Sequence, residues 1–429
     1  MLAVNANKEN LSPESQLNPK PMQTNNHHTS ACESFPEPSP EYQKHSNRLK
    51  ALIQKKIMAN GGRISFAEYM NCALYEPGLG YYSAGLKKFG KEGDFITAPE
   101  MSPFFSQCLA LQCIEIMHQT GQKTLLEVGA GSGIMAIELL LELQKRHYLP
   151  DQYLILELSA ELRDRQQKAI QTRIPELYER IQWLTQLPEK PFSGIVLANE
   201  LLDAMPVHII KLQQDTIYER YVALDDNKQF VWHDDEPENP RIRAIAQQIS
   251  TIQQPFAHLN DKPDTPYISE INLLAGDWIK SIADRLVEGA LLLIDYGYSA
   301  QEYYHPQRSM GTLMCHYQHH RHDDPFYLPG LQDITAHIDF SHIAHCAEEA
   351  GLKLCGFTTQ AHFLMSGGLV ELTKDLDPND IIPFSEAARQ IKMLTLPEEM
   401  GELFKVILLT KGKALSLSAF TPYNFQNRL

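Results

Sequence analysis

Apolar residues along the chain repeat with two different periods, and the switches between them mark out its elements. Leu49, Leu52, Ile53 and Ile57 recur at helical spacing and stop at Gly61-Gly62, which predicts a helix. Ser65 and Glu68 stand at capping-box spacing ahead of a second helical run, and Ser102-Pro103 opens a third that reaches about residue 119. The stretch EPGLGYYSAGLKKFGKEGDFITAPEMS between them is turn-rich, with glycine and proline punctuating tyrosine and phenylalanine. From residue 123 short, continuous apolar runs alternate with helical ones: TLLEVGA, a helix over about 133–146, YLILELS, a helix over 160–172, IQWLT and GIVLANE. That alternation predicts a parallel sheet with helices on both faces.

The order breaks after residue 205, where VHIIKLQQ, TIYERYVALDD and QFVWHDD read as antiparallel strands followed by a proline-bearing loop over 236–266. A helix over 269–287 leads back to GALLLIDYG, a buried strand of the main sheet. GLKLCGFTTQ, a helical stretch and FKVILLTKG complete that sheet. The expected fold is α/β, a Rossmann-like sheet with an N-terminal helical cap and a β insertion. Its parts are a polar, proline-rich tail over 1–45, expected to be disordered, a cap and active-site loop over 46–120, and a sheet domain over 121–412. The insertion occupies about 206–268, and a C-terminal tail runs over 413–429.

Composition narrows the chemistry. The net charge of −15 argues against a phosphate-backbone partner and suits a basic protein or a cationic side chain. No apolar run reaches the eighteen or so residues that a membrane helix requires. Seven scattered cysteines without a CxxC pair fit neither a disulfide framework nor a zinc ribbon, so a reducing, cytoplasmic compartment is expected. The first 45 residues carry five Glu against three Lys, which disfavours a mitochondrial transit peptide.

The run TLLEVGAGSGIMAIELLLEL ends an apolar strand in a glycine turn ahead of a helix, a place where backbone approaches a ligand closely. A dinucleotide fingerprint would put its third small residue where Ile134 stands; here Gly129, Gly131 and Gly133 are evenly spaced. Glu127 lies two residues before the first glycine, where it would repel a pyrophosphate and attract an ammonium. Glu157 ends the next strand, where a carboxylate accepts the two ribose hydroxyls. The set points to S-adenosyl-L-methionine rather than NAD or a flavin; the plainer alternative is a structural turn flanked by surface acids.

Several longer motifs occur in one order: GDFITAPEMSPFFSQ at 93–107, LLEVGAGSG at 125–133, ANELLDAMPVH at 198–208, LLIDYGY at 292–298, DITAHIDF at 333–340 and EEMGELFKVILL at 398–409. Together, from about residue 50 to 412, they resemble the MidA family of class I methyltransferases. That family includes the mitochondrial arginine methyltransferase required for assembly of respiratory complex I. The resemblance implies methyl transfer from S-adenosyl-L-methionine to a protein arginine, with a respiratory complex I subunit as the target class. Residue patterns without it reach only "methyltransferase".

On the acceptor side, Asn199, Glu200 and Asp203 follow the GIVLANE strand at the edge where α/β folds bind ligands. If the following segment is helical, Glu200 and Asp203 share one face and suit a guanidinium fork; the alternative is that the three cap a helix. Gly93, Asp94 and Thr97 belong to a loop expected either to fold over the cofactor or to serve as a static connector. Asp295 and Tyr296 end the LLLIDYG strand at the same edge, and His316 lies in CHYQHHRHDD, expected to be a polar loop lining the substrate cleft. That loop is rich in metal-ligand types, but ten crowded residues rarely converge and no paired element completes a cage, so no metal is expected. Two rival readings stand beside the enzyme: a non-catalytic assembly factor that binds the cofactor and clasps a respiratory subunit, and a metal-dependent hydrolase.

Overall fold

The computed structural model describes residues 36–84, 97–214, 216–253, 265–374 and 376–429. Helix α1 (Pro40–Ala59) is capped by the Ser39 hydroxyl, which accepts from Tyr42 N, and it buries Leu49, Ile53 and Ile57. It begins inside the stretch assigned to the N-terminal tail, because Ser39-Pro40-Glu41 is itself a helix start. Residues 1–35 lie outside the described ones. Strand β1 (Arg63–Ser65) and helix α2 (Phe66–Tyr75) follow, joined by a fully formed Ser65/Glu68 capping box. Short helix α3 (Ala98–Met101) precedes α4 (Pro103–Thr120), which Ser102 caps.

The main sheet then builds through β2 (Thr124–Val128), α5 (Ile134–Lys145), β3 (Gln152–Leu156), α6 (Ala160–Arg173), β4 (Ile181–Leu184) and β5 (Phe192–Asn199). The inserted region comprises β6 (His208–Gln213), β7 (Thr216–Leu224), β8 (Phe230–Asp235), α7 (Pro240–Gln253) and β9 (Tyr267–Ile271). The chain returns through α8 (Leu273–Arg285) to β10 (Leu286–Tyr298) and α9 (Ala300–Tyr303). It continues with β11 (Met314–Tyr317), β12 (His320–His322), β13 (Asp333–Thr335), β14 (Ile338–Asp339) and α10 (Phe340–Glu349). The last elements are β15 (Lys353–Thr359), α11 (Gln360–Leu364), α12 (Val370–Leu372), α13 (Ile381–Thr395) and β16 (Phe404–Lys411).

The sheet order is β15-β16-β10-β5-β2-β3-β4, with β14 beside β10. Strands β10, β5, β2, β3 and β4 run parallel, while β16 is antiparallel to both neighbours. Successive strand residues face opposite layers. Leu125 and Ile195 pack with α4 and α5, whereas Leu126 and Val196 pack with α8 and α10. Connections leave β2 toward β3 on one side and enter β5 and β10 on the other, so a crevice opens at the carboxyl ends of β2 and β5.

The second sheet, β1-β7-β6-β9 with β8 on β7, does not stand apart from the cap. Its residues Val222 and Phe230 share one core with Ile53, Phe66 and Tyr69 of α1 and α2. Two expected elements differ. Residues 236–266 include helix α7, whose Ile242, Ala246 and Ile249 repeat at helical spacing and are buried. The helix expected from 269 starts at Leu273, after Asn272 caps it, because residues 267–271 pair with β6 as a strand. The C-terminal stretch is packed rather than free: Leu415, Leu417, Ala419 and Phe420 are buried against the main core. Among the described residues no helix is long and apolar enough to cross a membrane.

Candidate active site

A cleft of about 1510 Å³ opens at the crevice, walled by the cap, the sheet edge and the β11–β13 region. Its first half comes from two consecutive β-α units. Glu127 is buried in β2, and its Oε2 accepts a 2.5 Å hydrogen bond from the Tyr153 hydroxyl while Oε1 has no partner. Burial pushes this carboxyl up to about 7; the Tyr153 hydroxyl opposes the shift and the charge of Glu157 adds to it. Gly129 has φ 73°, a left-handed conformation that favours glycine, and a Cβ there would lie 3.0 Å from Leu201 Cδ1. Gly129 and Gly131 line the cleft, whereas Gly133 is buried at the start of α5, where a Cβ would meet Gln166 Cγ at 3.3 Å. Gly133 therefore shapes the turn from behind and does not line the cleft.

Glu157 lies just beyond β3 and lines the cleft. Its Oε1 accepts from Ser159 N at 2.9 Å and its Oε2 from Gln166 Nε2 at 3.2 Å, contacts that oppose the upward shift caused by burial. Gln166 is fully buried and also donates to Gly131 O at 3.0 Å, while Trp183 Nε1 donates to its Oε1 at 3.0 Å. One amide thus ties the glycine turn to the Glu157 carboxylate. It was missed in the sequence, although a signal existed: Gln166 interrupts the buried stripe of Leu162 and Ile170 on α6. These groups fit S-adenosyl-L-methionine, since the bare buried Oε1 of Glu127 calls for a cation and Glu157 keeps acceptor capacity for a diol.

The second half is assembled from distant segments. Residues 200–205 form turns rather than a helix, so helix capping does not account for Asn199, Glu200 and Asp203. Glu200 turns the chain with φ 49°, a left-handed conformation that costs a non-glycine residue of order 1 kcal/mol, and its N donates to Ile294 O at 2.9 Å. Asp295 holds the turn from below: its Oδ2 accepts from Leu202 N at 2.9 Å and Asp203 N at 3.3 Å, and its Oδ1 accepts from Tyr296 N at 2.9 Å. Asp295 is 1% exposed and does not line the cleft, which corrects its expected role from substrate contact to positioning.

Asn199, Glu200, Asp203 and Tyr296 all line the cleft. The Tyr296 hydroxyl donates to Asp203 Oδ2 at 2.6 Å, and Asn199 Nδ2 donates to Glu200 Oε1 at 3.1 Å. Asp203 Oδ1 and Asn199 Oδ1 are buried without partners. Burial is the main cause that pushes Glu200 up to about 8, with the charge of Asp203 adding. It likewise pushes Asp203 up to about 6, against the Tyr296 hydrogen bond and the nearby backbone N–H groups of Ala204 and Asp203. In the same cleft Tyr75 and Tyr82 stack with centroids 5.5 Å apart. Their hydroxyls donate to Ala204 O at 2.8 Å and Asp333 Oδ1 at 2.9 Å. Neither tyrosine carried a local signal of function, and Asp333 and His337, which also line the cleft, lie within the DITAHIDF motif without having been singled out in it.

Thr97 lines the cleft at the start of α3, while Gly93 and Asp94 lie outside the described residues. The expected CHYQHHRHDD loop is instead largely the β11–β12 hairpin. Strand alternation sends Cys315 into the cap core and His316, with Arg321 from β12, to the cleft. Among the described residues no three His, Cys, Asp or Glu side chains are grouped to hold a metal.

Residues 108–358 match the family model described as "Putative S-adenosyl-L-methionine-dependent methyltransferase". The chain is 29% identical over 380 residues to "Protein arginine methyltransferase NDUFAF7, mitochondrial" of Danio rerio, covering 82% of this chain and 84% of that protein. It is 28% identical over 405 residues to the NDUFAF7 homolog of Drosophila melanogaster, with 88% of each covered. A Burkholderia thailandensis crystal structure bound to S-adenosyl-homocysteine is similar at TM-score 0.86 and 40% identity, covering 92% of this chain and 100% of that one.

Proposed function

The chain belongs to the MidA family of S-adenosyl-L-methionine-dependent methyltransferases, and from that premise we propose that it methylates an arginine side chain of a protein. The observation that carries the choice of acceptor is the pair of bare, buried oxygens, Asp203 Oδ1 and Asn199 Oδ1, in one wall of the cleft. A guanidinium supplies only N–H donors, and it supplies several in one plane. The curated relatives named as arginine methyltransferases agree with this acceptor. The family resemblance makes a respiratory complex I subunit the first candidate target.

When bound, S-adenosyl-L-methionine supplies a methyl group activated by its sulfonium. Glu127 neutralises the amino group of that cofactor through the oxygen that Tyr153 leaves bare, and Glu157 accepts its ribose hydroxyls. Asp203, clamped by Tyr296, and Asn199 orient the guanidinium so that one nitrogen faces the methyl-binding side. An incoming guanidinium draws the Glu200 carboxyl back to its ionised form, its proton passing to solvent, because an opposite charge favours the carboxylate. Glu200 then takes the proton that the nitrogen sheds as it is methylated. Among the described residues all six cysteines are free, which supports a reducing compartment. Of the reducing compartments we take the cytoplasm, while the curated relatives are named as mitochondrial.

The test is incubation of the purified chain with methyl-labelled cofactor and extract proteins, followed by mass spectrometry of labelled peptides. Label on arginine is expected. Tight S-adenosyl-homocysteine binding with no labelled arginine would favour the non-catalytic clasp.

A further inference from the structure

Among the cleft residues that take no part in the mechanism above, His337 has a buried ring nitrogen without a partner. His337 stands between β13 and β14 and lines the cleft. Its ring meets that of Tyr296 edge-on at 5.0 Å and 82°, and it packs against Tyr298 at 5.4 Å. Its backbone is fixed as well, since His337 N donates to Thr312 Oγ1 at 3.1 Å. The imidazole is thus held by both the sheet edge and the aromatic pair, yet its Nδ1 is buried and has no hydrogen-bond partner.

A buried ring nitrogen without a partner costs stability unless something met during function satisfies it. The surroundings say which protonation state waits there. Burial pushes the His337 pKa down to about 4, and the charges of Arg308 and Lys405 push the same way. Both cations lie over the Tyr298 ring, at 4.2 and 5.5 Å from its centroid, on the residue that packs against His337. The imidazole therefore stays neutral at physiological pH, and a neutral imidazole always offers one acceptor nitrogen. Tyr296 links it to the acceptor wall, because the same phenol that meets His337 edge-on donates to Asp203.

Resting on the arginine reading, we propose that His337 is a substrate-contacting residue, whose Nδ1 accepts a hydrogen bond from the guanidinium on the side away from Asn199 and Glu200. Three acceptors, from Asn199, Asp203 and His337, then surround a planar group that carries five N–H donors. A lysine ammonium has three donors in a cone, and it cannot reach acceptors spread around a plane. His337 in this way favours arginine over lysine.

The test uses the full chain, methyl-labelled cofactor and two peptide pools identical except for a central arginine or lysine. Wild type is expected to label the arginine pool. H337F keeps a ring of similar shape without the acceptor, and H337N keeps an acceptor near Nδ1. H337F is expected to bind S-adenosyl-homocysteine as wild type does, to raise KM for the arginine pool about tenfold and to narrow the preference over lysine. H337N is expected to recover most of both losses. An unchanged KM in H337F, or equal damage in H337N, would overturn the assignment. A wild type that labels no arginine peptide would overturn the arginine reading and this assignment with it. If H337F fails to bind S-adenosyl-homocysteine, the 15N resonance of His337 Nδ1 in wild type decides: it is expected to shift when the arginine pool is added in the presence of S-adenosyl-homocysteine, and a static resonance refutes the contact.

Discussion

The two halves of the cleft are built in opposite ways. The cofactor half is local: Glu127, the glycine turn, Glu157 and Gln166 fall within forty residues or so of chain and two β-α units. The acceptor half gathers Tyr75, Asn199–Asp203, Asp295–Tyr296 and Asp333–His337 from four separate segments. The first is stabilised by backbone conformation, with glycines at positive φ and a capped helix; the second by buried hydrogen bonds between segments, including Tyr296 to Asp203 and Tyr75 to Ala204. A local site survives loss of a distant partner, whereas a gathered site fails when any one of its ties is cut.

The sharpest way to separate the halves is Asp203→Ala. It should lower the rate of methyl transfer by roughly two to three orders of magnitude while leaving S-adenosyl-homocysteine affinity unchanged, read by single-turnover assay and calorimetry. Loss of cofactor affinity in this variant would mean that the halves are one unit. Glu157→Ala makes the converse cut: S-adenosyl-homocysteine should bind roughly ten- to a hundredfold more weakly, from loss of hydrogen bonds to a carboxylate. Equal binding by both proteins would remove the ribose assignment.

Asp295→Asn tests a tie that touches no ligand. Its amide would face the Leu202 and Asp203 N–H groups that now donate to a carboxylate oxygen. Transfer should fall about tenfold and stability by about 1–3 kcal/mol, with cofactor affinity intact. The smallest effect concerns pH. Glu127, Asp203 and Glu200 have folded-state values of about 7, 6 and 8, each above its ordinary value. The folded state therefore binds more protons than the unfolded one between those limits, and this contribution to stability falls as pH rises from about 4 through about 8. The melting temperature without cofactor should drop between pH 6 and pH 8, by roughly 3 °C. S-adenosyl-homocysteine should shrink the drop, because its ammonium offsets the Glu127 charge; an equal drop with ligand would break the pairing of Glu127 with a cation.

The β-α alternation, the capping box at Ser65, the glycine turn and its two acids were all legible in the chain, because each depends on spacing within a few residues. The strand over residues 267–271 was not, since YISEI becomes a strand only through pairing with β6 and burial of Glu270 against Thr312 and Tyr303. The hairpin in CHYQHHRHDD hides for the same reason: its polar residues form a strand pair only against β13.

By itself the sequence determined the periodicity of the parallel sheet and the chemistry of the cofactor turn, since backbone conformation and nearest-neighbour spacing set both. The tertiary structure alone decided that Asp295 lies behind the cleft while Asp203 lines it, and that Tyr75, Tyr82 and His337 line the same cleft as Asn199. The physical reason is that burial and hydrogen-bond satisfaction are properties of neighbours in space, and here those neighbours lie up to about 260 residues apart along the chain.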